Sequence, residues 1–221
     1  MNTHIWLFSM VDVQAHKTGM IFVGATVGDE EPNQIHEIEA QNTTTDFAAL
    51  RFIEQANFDW NNELPVCVRL TPDTFNSEDK FEKWRVEAKK THQLLNGRLL
   101  VLVQSTVDRE WFRTKATELN DLRVNGLEIG LEVVGGMDDA SNWQEEFDWN
   151  ATQLNLGKCR SEFSKFVVYT SQMYGKDIKN MVIDVHDRSE LITIEQVYAD
   201  YASGPVFGNA CIWNGPLSQL N

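Results

Sequence analysis

The sequence predicts a mixed α/β fold, with a five-stranded sheet and flanking helices in residues 1–124 and an α+β extension in residues 125–221. Three β-branched and aromatic runs follow one another near the start, which is typical of antiparallel strands. Amphipathic helical stripes then alternate with short apolar runs, which is typical of parallel strands joined by helices. Because no linker or repeat separates the two parts, the extension can pack on the first domain.

The first strands are predicted at residues 4–13 (HIWLFSMVDV) and 20–27 (MIFVGATV), which are joined by a polar link. Residues 34–41 (QIHEIEAQ) alternate apolar and polar side chains, as expected of a half-exposed third strand. The next stretch, NTTTDFAALRFIEQA at 42–56, combines capping hydroxyls with an apolar face at helical spacing. It therefore predicts a helix with Asp46 in its first turn, where the helix dipole favours a negative charge.

Two apolar strands and two helices complete the first domain. VCVRL (66–70) and RLLVLV (98–103) contain almost only apolar residues, as in strands that are buried on both faces. One helix is predicted to begin after Ser77, and another after the capping box formed by Ser105 and Asp108. The predicted order of elements is therefore β-β-β-α-β-α-β-α.

The extension has a less regular pattern. Its apolar runs and helical stripes predict three strands and two helices, and its glycine- and proline-rich tail is predicted to lie across the surface or on a partner. The strands are predicted at 127–136, 165–170 and 180–185, and the helices at 143–154 and 194–201.

The composition disfavours several classes of protein. Lys and Arg number 19 against 33 Asp and Glu, which gives a net charge of -14. Such a surface disfavours binding to a phosphate backbone and favours partners with basic surfaces and divalent cations. No run approaches the roughly 20 apolar residues of a membrane helix, the start is unlike a signal peptide, and the three cysteines are widely spaced. We therefore expect a cytoplasmic protein without a membrane partner.

The order of elements over residues 4–124, together with the segment NTTTDFAALRFIEQA, resembles the ribonuclease H-like fold superfamily. In that family, the helix after the third strand follows an Asn/Thr-rich turn and carries an acidic residue. The resemblance places Asp46 at this carboxylate. It also implies a two-metal mechanism, in which two Mg²⁺ ions about 4 Å apart hold the attacking and leaving oxygens of a phosphodiester.

The resemblance implies four catalytic carboxylates, Asp12, Asp46, Asp73 and Glu118, of which the first three are also the expected metal ligands. Asp12 lies about two residues beyond the family's position, which moves a side chain by roughly 7 Å along a strand. Asp73 is displaced by about one residue and follows a proline. Each aspartate also has a purely structural interpretation, at a strand end, in a helix's first turn or in a tight turn.

A second cluster of ionisable residues lies in VIDVHDRSE at 182–190. Asp184 and His186 are expected to share one face of a strand, with Asp187 next to them. In that arrangement they can ligate a metal or act as an acid/base pair. The alternative interpretation is a strand end that runs into a charged turn.

Two functions are consistent with these features. The first is a degenerate, non-catalytic ribonuclease H-like module that acts as an acidic protein-binding or assembly domain and needs no cofactor. The displaced carboxylates and the negative charge favour it, and Trp143, Trp149 and Trp213 are its candidate binding residues. The second is a divergent Mg²⁺-dependent nuclease or phosphoryl-transfer enzyme that acts on nucleic acid through the four carboxylates. The sequence leaves open whether the protein is an enzyme.

Overall fold

The computed structural model describes residues 3–27, 32, 35, 42–56 and 64–208, and the backbone alone of residues 211–213. Within these residues the chain forms nine strands and eight α-helices. The strands are β1 (Thr3–Asp12), β2 (Lys17–Val27), β3 (Val66–Leu70), β4 (Leu99–Gln104), β5 (Glu128–Glu132), β6 (Ala151–Asn155), β7 (Lys179–Ile183), β8 (Tyr201–Ala202) and β9 (Cys211–Trp213). The helices are α1 (Thr43–Gln55), α2 (Pro72–Phe75), α3 (Glu78–Leu94), α4 (Arg109–Val124), α5 (Met137–Trp143), α6 (Leu156–Cys159), α7 (Phe163–Gly175) and α8 (Arg188–Gln196).

The strands form one sheet that closes on itself. Strands β2 to β8 run parallel to one another in sequence order. β1 closes the barrel, because it pairs antiparallel with β2 along its whole length and with β8 at Val11 and Asp12. Further along the same edge of β1, Ile5, Trp6 and Leu7 pair with β9. In the described part of the chain, the result is an eight-stranded barrel with one reversed strand.

The alternation of side chains along each strand divides the apolar residues between two cores. In β4, Leu100 and Leu102 belong to the core inside the barrel, whereas Leu99, Val101 and Val103 pack beneath the helices. Because both faces are buried, the strand contains no polar residue before its carboxyl end. The core inside the barrel consists of Trp6, Phe8, Met10, Met20, Phe22, Ile35, Cys67, Leu100, Leu102, Ala151, Met181 and Ile183.

The first helix begins where its sequence predicts. The side chain of Asn42 accepts hydrogen bonds from the backbone N–H groups of Thr44 and Thr45, at 2.9 and 3.3 Å. The Thr45 hydroxyl in turn accepts a hydrogen bond from the backbone N–H of Asn42 and donates one to its carbonyl oxygen, which completes a capping box. The predicted elements β1, β2, β3, α3, β4 and α4 also form in the expected places. The predicted third strand, at 34–41, lies outside the described residues apart from Ile35.

The predicted ribonuclease H-like fold, a five-stranded mixed sheet with an α+β extension, is wrong. β4 and β5 lie on either side of the expected boundary at residue 124, yet they pair in parallel from Leu100 to Gln104. Strands β5 to β8 continue the same sheet until it meets β1. The error has a physical cause, since local patterns identify strands but not the edges along which they pair. An antiparallel start followed by βα units is compatible with both an open sheet and a closed barrel.

Three segments of the second half differ from their predicted secondary structure. One is residues 194–201, predicted as a helix: α8 ends at Gln196, and Tyr201 lies in β8. KFVVYT, predicted as a strand, lies in α7, because Phe166, Tyr169 and Met173 are buried at helical spacing. Residues 151–155, predicted as helical, form β6, in which every residue is buried. A short strand buried on both faces does not alternate, so its apolar residues also fit a helical spacing.

The carboxyl ends of the parallel strands meet at one end of the barrel, where helices α1, α2 and α8 begin. We call this end the mouth. Its polar residues, which face inward or lie where a strand ends, are Thr26, Arg69, Gln104, Glu132, Gln153, Asn155 and Asp184. In barrels of alternating strands and helices, active sites lie at this end. At the opposite end, the Lys179 ammonium group bonds to both oxygens of Glu128 at 2.7 Å. No helix within the described ranges has the length and apolar character needed to cross a bilayer.

The tight contact between β4, β5 and β6 gives a test of the barrel. A Cβ atom on Gly130 would lie 2.7 Å from Cδ2 of Leu102 and 3.1 Å from the carbonyl oxygen of Ala151. We expect Gly130→Ala to lower the free energy of unfolding by about 1–3 kcal/mol, because the barrel interior is already filled. Urea denaturation measures the change. Gly175→Ala is the matched control, since nothing lies within 4 Å of its Cβ position at the end of α7. Equal stability of the two variants would contradict the closed, filled barrel.

Candidate functional site at the mouth of the barrel

A layer of polar side chains covers the apolar interior of the barrel at its mouth. The register of the sheet places Gln104, Glu132 and Gln153 side by side on three neighbouring strands. Arg69 reaches the same layer from β3, where it follows Cys67 on the inner face. Glu132 and Arg69 are 5% and 4% exposed, so their charges are almost completely removed from water.

Glu132 is the centre of this layer. Its Oε1 atom lies 2.5 Å from Nη2 of Arg69 and accepts a hydrogen bond from Nε2 of Gln153 at 3.1 Å. Its Oε2 atom accepts a hydrogen bond from Nε2 of Gln104 at 3.2 Å. The carboxylate is therefore matched by one cation and two amides, which is the condition under which a buried charge is tolerated.

The Arg69 guanidinium contacts several different groups. Besides Glu132, it donates a hydrogen bond to the carbonyl oxygen of Ile35 at 3.2 Å. It also lies over the ring of Phe22, with its central carbon 5.0 Å from the ring centroid. Ile35 itself is buried in the core inside the barrel, so this residue covers part of the mouth. Near it, the indole N–H of Trp6 donates to the hydroxyl of Thr26 at 2.9 Å.

A second polar group lies where β7 ends. Asp184 is only 8% exposed, and its backbone is left-handed, with φ of 68°. Its Oδ1 atom lies 2.7 Å from Nε2 of His186. Gly157 comes so close that a Cβ atom there would overlap Oδ2 of Asp184. The sequence flagged these two ionisable residues, and the structure brings them into contact at the mouth.

The mouth has few groups that can bind a metal ion. No cluster of three or more His, Cys, Asp or Glu residues with suitable geometry occurs among the residues that the structure describes. Glu132 is already bonded to a guanidinium, and the Asp184–His186 pair supplies only two ligands. Mg²⁺ and Ca²⁺ require several oxygen ligands, usually including more than one carboxylate. The described residues therefore do not fit a two-metal centre.

Asp46, one of the expected metal ligands, connects the start of α1 to the end of β3. Its Oδ2 atom accepts hydrogen bonds from the backbone N–H and hydroxyl of Thr71, at 3.1 and 2.7 Å, and from the hydroxyl of Thr74. Its Oδ1 atom is buried and has no hydrogen-bond partner among the described residues. Burial raises the pKa of Asp46 from its ordinary 3.8 to about 6, against the opposite effect of these hydrogen bonds.

Asp73 lies close to Asp46 and has a related structural role. Its Oδ2 atom accepts hydrogen bonds from the backbone N–H and the hydroxyl of Thr43, at 2.9 and 2.6 Å, while Oδ1 lies 3.0 Å from Nζ of Lys80. The bonds from Thr43 and Lys80 lower the pKa of Asp73 to about 2. The carboxylate thus joins α2 to the start of α1.

The other predicted site residues lie elsewhere. Asp12 is at the opposite end of the barrel, where it accepts backbone hydrogen bonds in the β1–β2 turn. Glu118 lies on α4 and pairs with Lys115 at 3.1 Å. Trp143 and Trp149 are each 4% exposed, and the Trp149 indole donates to the Trp143 carbonyl oxygen, so they belong to the core beneath the helices. The side chain of Trp213 lies outside the described residues. The structure therefore brings together only Asp46 and Asp73 of the four carboxylates.

Sequence reasoning missed Arg69, Glu132, Gln104 and Gln153. A signal was present, because Arg69 is the only charged residue in a strand that is otherwise apolar. A charged residue in a strand buried on both faces requires a buried partner. The partner could not be identified from the sequence, because it lies two strands away in the barrel.

Comparison with solved structures identifies the fold. No protein-family model and no curated protein matches the chain. The EAL domain of FimX from Xanthomonas citri, in complex with c-diGMP, matches with a TM-score of 0.72 and 16% identity, over 100% of this chain and 90% of that one. An EAL domain protein from Listeria monocytogenes matches with a TM-score of 0.67 and 10% identity, over 99% and 91% of the two chains. The chain has the fold of EAL domains.

A third similar structure is BlrP1 from Klebsiella pneumoniae, in a calcium and cy-diGMP complex, with a TM-score of 0.71 and 12% identity. The match covers 96% of this chain and 56% of BlrP1, so the chain spans little more than half of that protein. Further similar structures of BlrP1 contain manganese. Divalent metals are thus present in several structures that have the EAL fold.

These matches correct the earlier interpretation of function. The resemblance to ribonuclease H-like proteins is wrong, and so are the two functions that depended on it, the degenerate ribonuclease H-like module and the nuclease. The segment NTTTDFAALRFIEQA misled because its features are those of helix capping: Asn42 and Thr45 cap α1, and Asp46 fixes it to β3. Capping residues recur wherever a helix begins, so they do not distinguish one fold from another.

The raised pKa of Asp46 predicts a pH dependence of stability. In the unfolded chain the carboxyl group is ionised above about 3.8, whereas in the folded protein it retains its proton up to about 6. The folded state therefore binds more protons in this window, and stability falls as pH rises through it. The Asp46→Asn variant lacks this ionisable group, so we expect its stability not to fall in this way. The difference in free energy of unfolding between the variant and wild type should therefore rise by on the order of 2–3 kcal/mol, in favour of the variant, from about pH 4 to 7.

Urea denaturation at several pH values measures this difference. Asp73→Asn is the matched control, because the pKa of Asp73 is lowered to about 2 and its contribution is lost only below the window. A wild-type and Asp46→Asn pair whose stabilities differ by the same amount at every pH would contradict the assignment.

The Arg69–Glu132 ion pair gives a further prediction. Arg69→Met leaves a buried carboxylate without its cation, so we expect a loss of about 3–5 kcal/mol in the free energy of unfolding. The double variant Arg69→Met/Glu132→Gln should recover part of this loss, because no unpaired charge remains. Arg85→Met, which removes the ion pair with Glu82 on the outer face of α3, should cost less than about 1 kcal/mol. Urea denaturation measures the free energy of unfolding of these three variants. Equal decreases for Arg69→Met and Arg85→Met would be inconsistent with a buried Arg69–Glu132 pair.

Proposed function

We propose that the chain is a non-hydrolysing domain of the EAL fold, which binds a cyclic dinucleotide at the mouth of the barrel. The observation that carries the proposal is the buried Arg69–Glu132 pair in the centre of the mouth. Metal-assisted hydrolysis of a phosphodiester uses ions that clamp the attacking and leaving oxygens. In this chain the central carboxylate is bonded to a guanidinium instead of being available to such an ion.

The similar structures support the class of ligand. Several of them are complexes with c-di-GMP, and their folds superpose on almost all of this chain. A cyclic dinucleotide presents two phosphodiester anions and two purine bases. Recognition of such a molecule needs cations and hydrogen-bond donors, and it does not need a metal ion.

The rim of the mouth supplies cations in a protein that is acidic as a whole. Lys158, Arg160 and Arg188 are exposed and follow the carboxyl ends of β6 and β7. The Lys158 ammonium group donates to the carbonyl oxygen of Val134 at 3.0 Å, and within the described ranges it forms no ion pair. Arg160 pairs with Glu190 at 2.7 Å. Lys158 and Arg188, which form no ion pair within the described ranges, are therefore the rim cations that are available to a phosphate group.

The location expected for this function is the cytoplasm. Cys67 and Cys159 are both buried free thiols. Free thiols suit a reducing compartment, where disulfides seldom persist. This observation supports the cytoplasmic location that the sequence predicts.

A protein partner also remains a prediction. The rings of Tyr174 and Tyr198 stack with centroids 4.5 Å apart, although their residues are 58% and 48% exposed. Val168, on the same helix as Tyr174, is 57% exposed. Exposed aromatic and apolar groups of this kind favour contact with another protein surface.

Calorimetric titration with c-di-GMP in the presence of EDTA tests the proposed binding, and chromatography after incubation with Mg²⁺ or Mn²⁺ tests hydrolysis. We expect binding without metal and no linear dinucleotide product. Formation of that product with either metal would refute a non-hydrolysing domain. No binding at ligand concentrations up to about 1 mM would refute the cyclic dinucleotide as ligand.

A pair of lysine variants locates the binding site. Lys158→Ala should weaken binding by about fivefold to tenfold, through loss of a cation at the mouth. Lys176→Ala should leave affinity unchanged, because Lys176 pairs with Glu145 at the opposite end of the barrel. The same affinity for both variants would argue against binding at the mouth.

A further inference from the structure

The backbone at Asp184 is left-handed. Its φ of 68° lies in a region that aspartate and asparagine adopt more readily than most other residues with side chains, although it remains uncommon outside glycine. Such a conformation persists only when the surrounding structure holds it. Asp184 lies directly after β7, where the strand reaches the mouth.

Two glycines allow the surrounding chain to hold this conformation. Gly157, at the start of α6, has no side chain that would collide with the Asp184 carboxylate. Gly204 has a φ of 156°, and a Cβ atom there would overlap the backbone of Val185. The backbone of Val185 is fixed by hydrogen bonds with Ser203 and Val206, each 3.2 Å long. The segment after β7 is therefore enclosed on both sides.

The enclosed carboxylate orients a histidine that is half exposed. The Asp184 side chain is 11% exposed and that of His186 is 49% exposed, and Oδ1 lies 2.7 Å from Nε2. The backbone N–H of His186 also donates to Oε2 of Glu190 at 2.7 Å. The imidazole is thus fixed through one ring nitrogen, and the other, Nδ1, has no hydrogen-bond partner among the described residues.

The contact between Asp184 and His186 is local. The two residues are next-but-one neighbours in the chain, so this contact does not connect separate parts of the fold. An ion pair with one exposed member contributes little to stability. Residues other than glycine that have a left-handed backbone often lie at functional sites.

We propose that His186 donates a hydrogen bond from Nδ1 to a phosphate oxygen of the ligand, and that Asp184 is the positioning residue that holds the imidazole in place. This inference rests on the proposed function, because it assigns a phosphate-binding group to the same mouth. A protonated imidazole next to a carboxylate donates from both nitrogens, one to the carboxylate and one to the ligand. Lys158 follows the neighbouring strand and supplies a second cation.

The pair predicts that affinity depends on pH. Histidine changes its charge between about pH 5 and 8, and only the charged form donates from both nitrogens. The charged groups around His186 are Asp184, Asp187 and Glu190, together with Arg160, which pairs with Glu190. Affinity for c-di-GMP should therefore fall as pH rises through this range.

Calorimetric titration of wild type and His186→Gln with c-di-GMP tests the inference. At about pH 6, we expect His186→Gln to bind about tenfold more weakly than wild type, and at about pH 8.5 the two should bind almost equally. Asp184→Asn should give a smaller loss at about pH 6. Asparagine tolerates a left-handed backbone, so this variant should keep the fold. His16→Gln is the matched control, because His16 lies in the β1–β2 turn at the opposite end of the barrel.

The outcomes separate this inference from the proposed function. If wild type binds and His186→Gln has the same pH profile, the role of His186 is refuted while the proposed function stands. If wild type does not bind c-di-GMP, nuclear magnetic resonance of the His186 ring is followed during titration with dimethyl phosphate, a phosphodiester without bases. A shift of the ring signals that is absent in Asp184→Asn would support the phosphate site alone. No shift would refute both proposals.

Discussion

β1 hydrogen-bonds to a neighbouring strand along both of its edges, and the rest of the structure depends on this double pairing. One edge pairs with β2 and the other with β8 and β9. Without the second edge, the parallel strands would form an open sheet with exposed edges, which are prone to pair with other chains. Closure instead encloses Phe8, Met10, Met20 and Phe22 in the barrel and brings all the carboxyl ends of the parallel strands to one mouth.

The closed barrel also determines which polar groups meet. Arg69 and Glu132 belong to strands that are separated by β4, and they meet only because both strands turn their alternate residues inward. The ion pair is buried and matched by the amides of Gln104 and Gln153. This arrangement pairs the two charges inside the mouth, whereas Lys158 and His186 are exposed at its rim. In the proposed function, these rim residues bind the anionic ligand.

The sequence predicted much of the local structure and little of the site. The hairpin of β1 and β2, the start of α1, and the buried strands β3 and β4 formed as expected, because periodicity and capping act over a few residues. The capping box predicted from Ser105 and Asp108 did not form, because Asp108 is itself the N-cap of α4 and the Ser105 hydroxyl bonds to Asp139. Asp184 and His186 were recognised as a cluster because they are neighbours in the chain. Asp46 and Asp73 were recognised as carboxylates near a helix start and were expected to be metal ligands. In the structure their bonds to Thr71 and Thr43 hold α1 against the end of β3 and against α2. KFVVYT and ATQLN were misassigned, since their burial depends on packing that the local pattern does not record.

The sequence by itself determined where most helices and strands begin, that the chain is acidic, and that Arg69 stands alone in an apolar strand. The tertiary structure decided that the sheet closes, that Asp12 and Asp46 lie at opposite ends of the barrel, and that Glu132 neutralises Arg69. The reason is physical. Capping and periodicity are set by residues within one or two turns of the chain, whereas strand pairing joins residues that are far apart in sequence and can be known only once the sheet has formed.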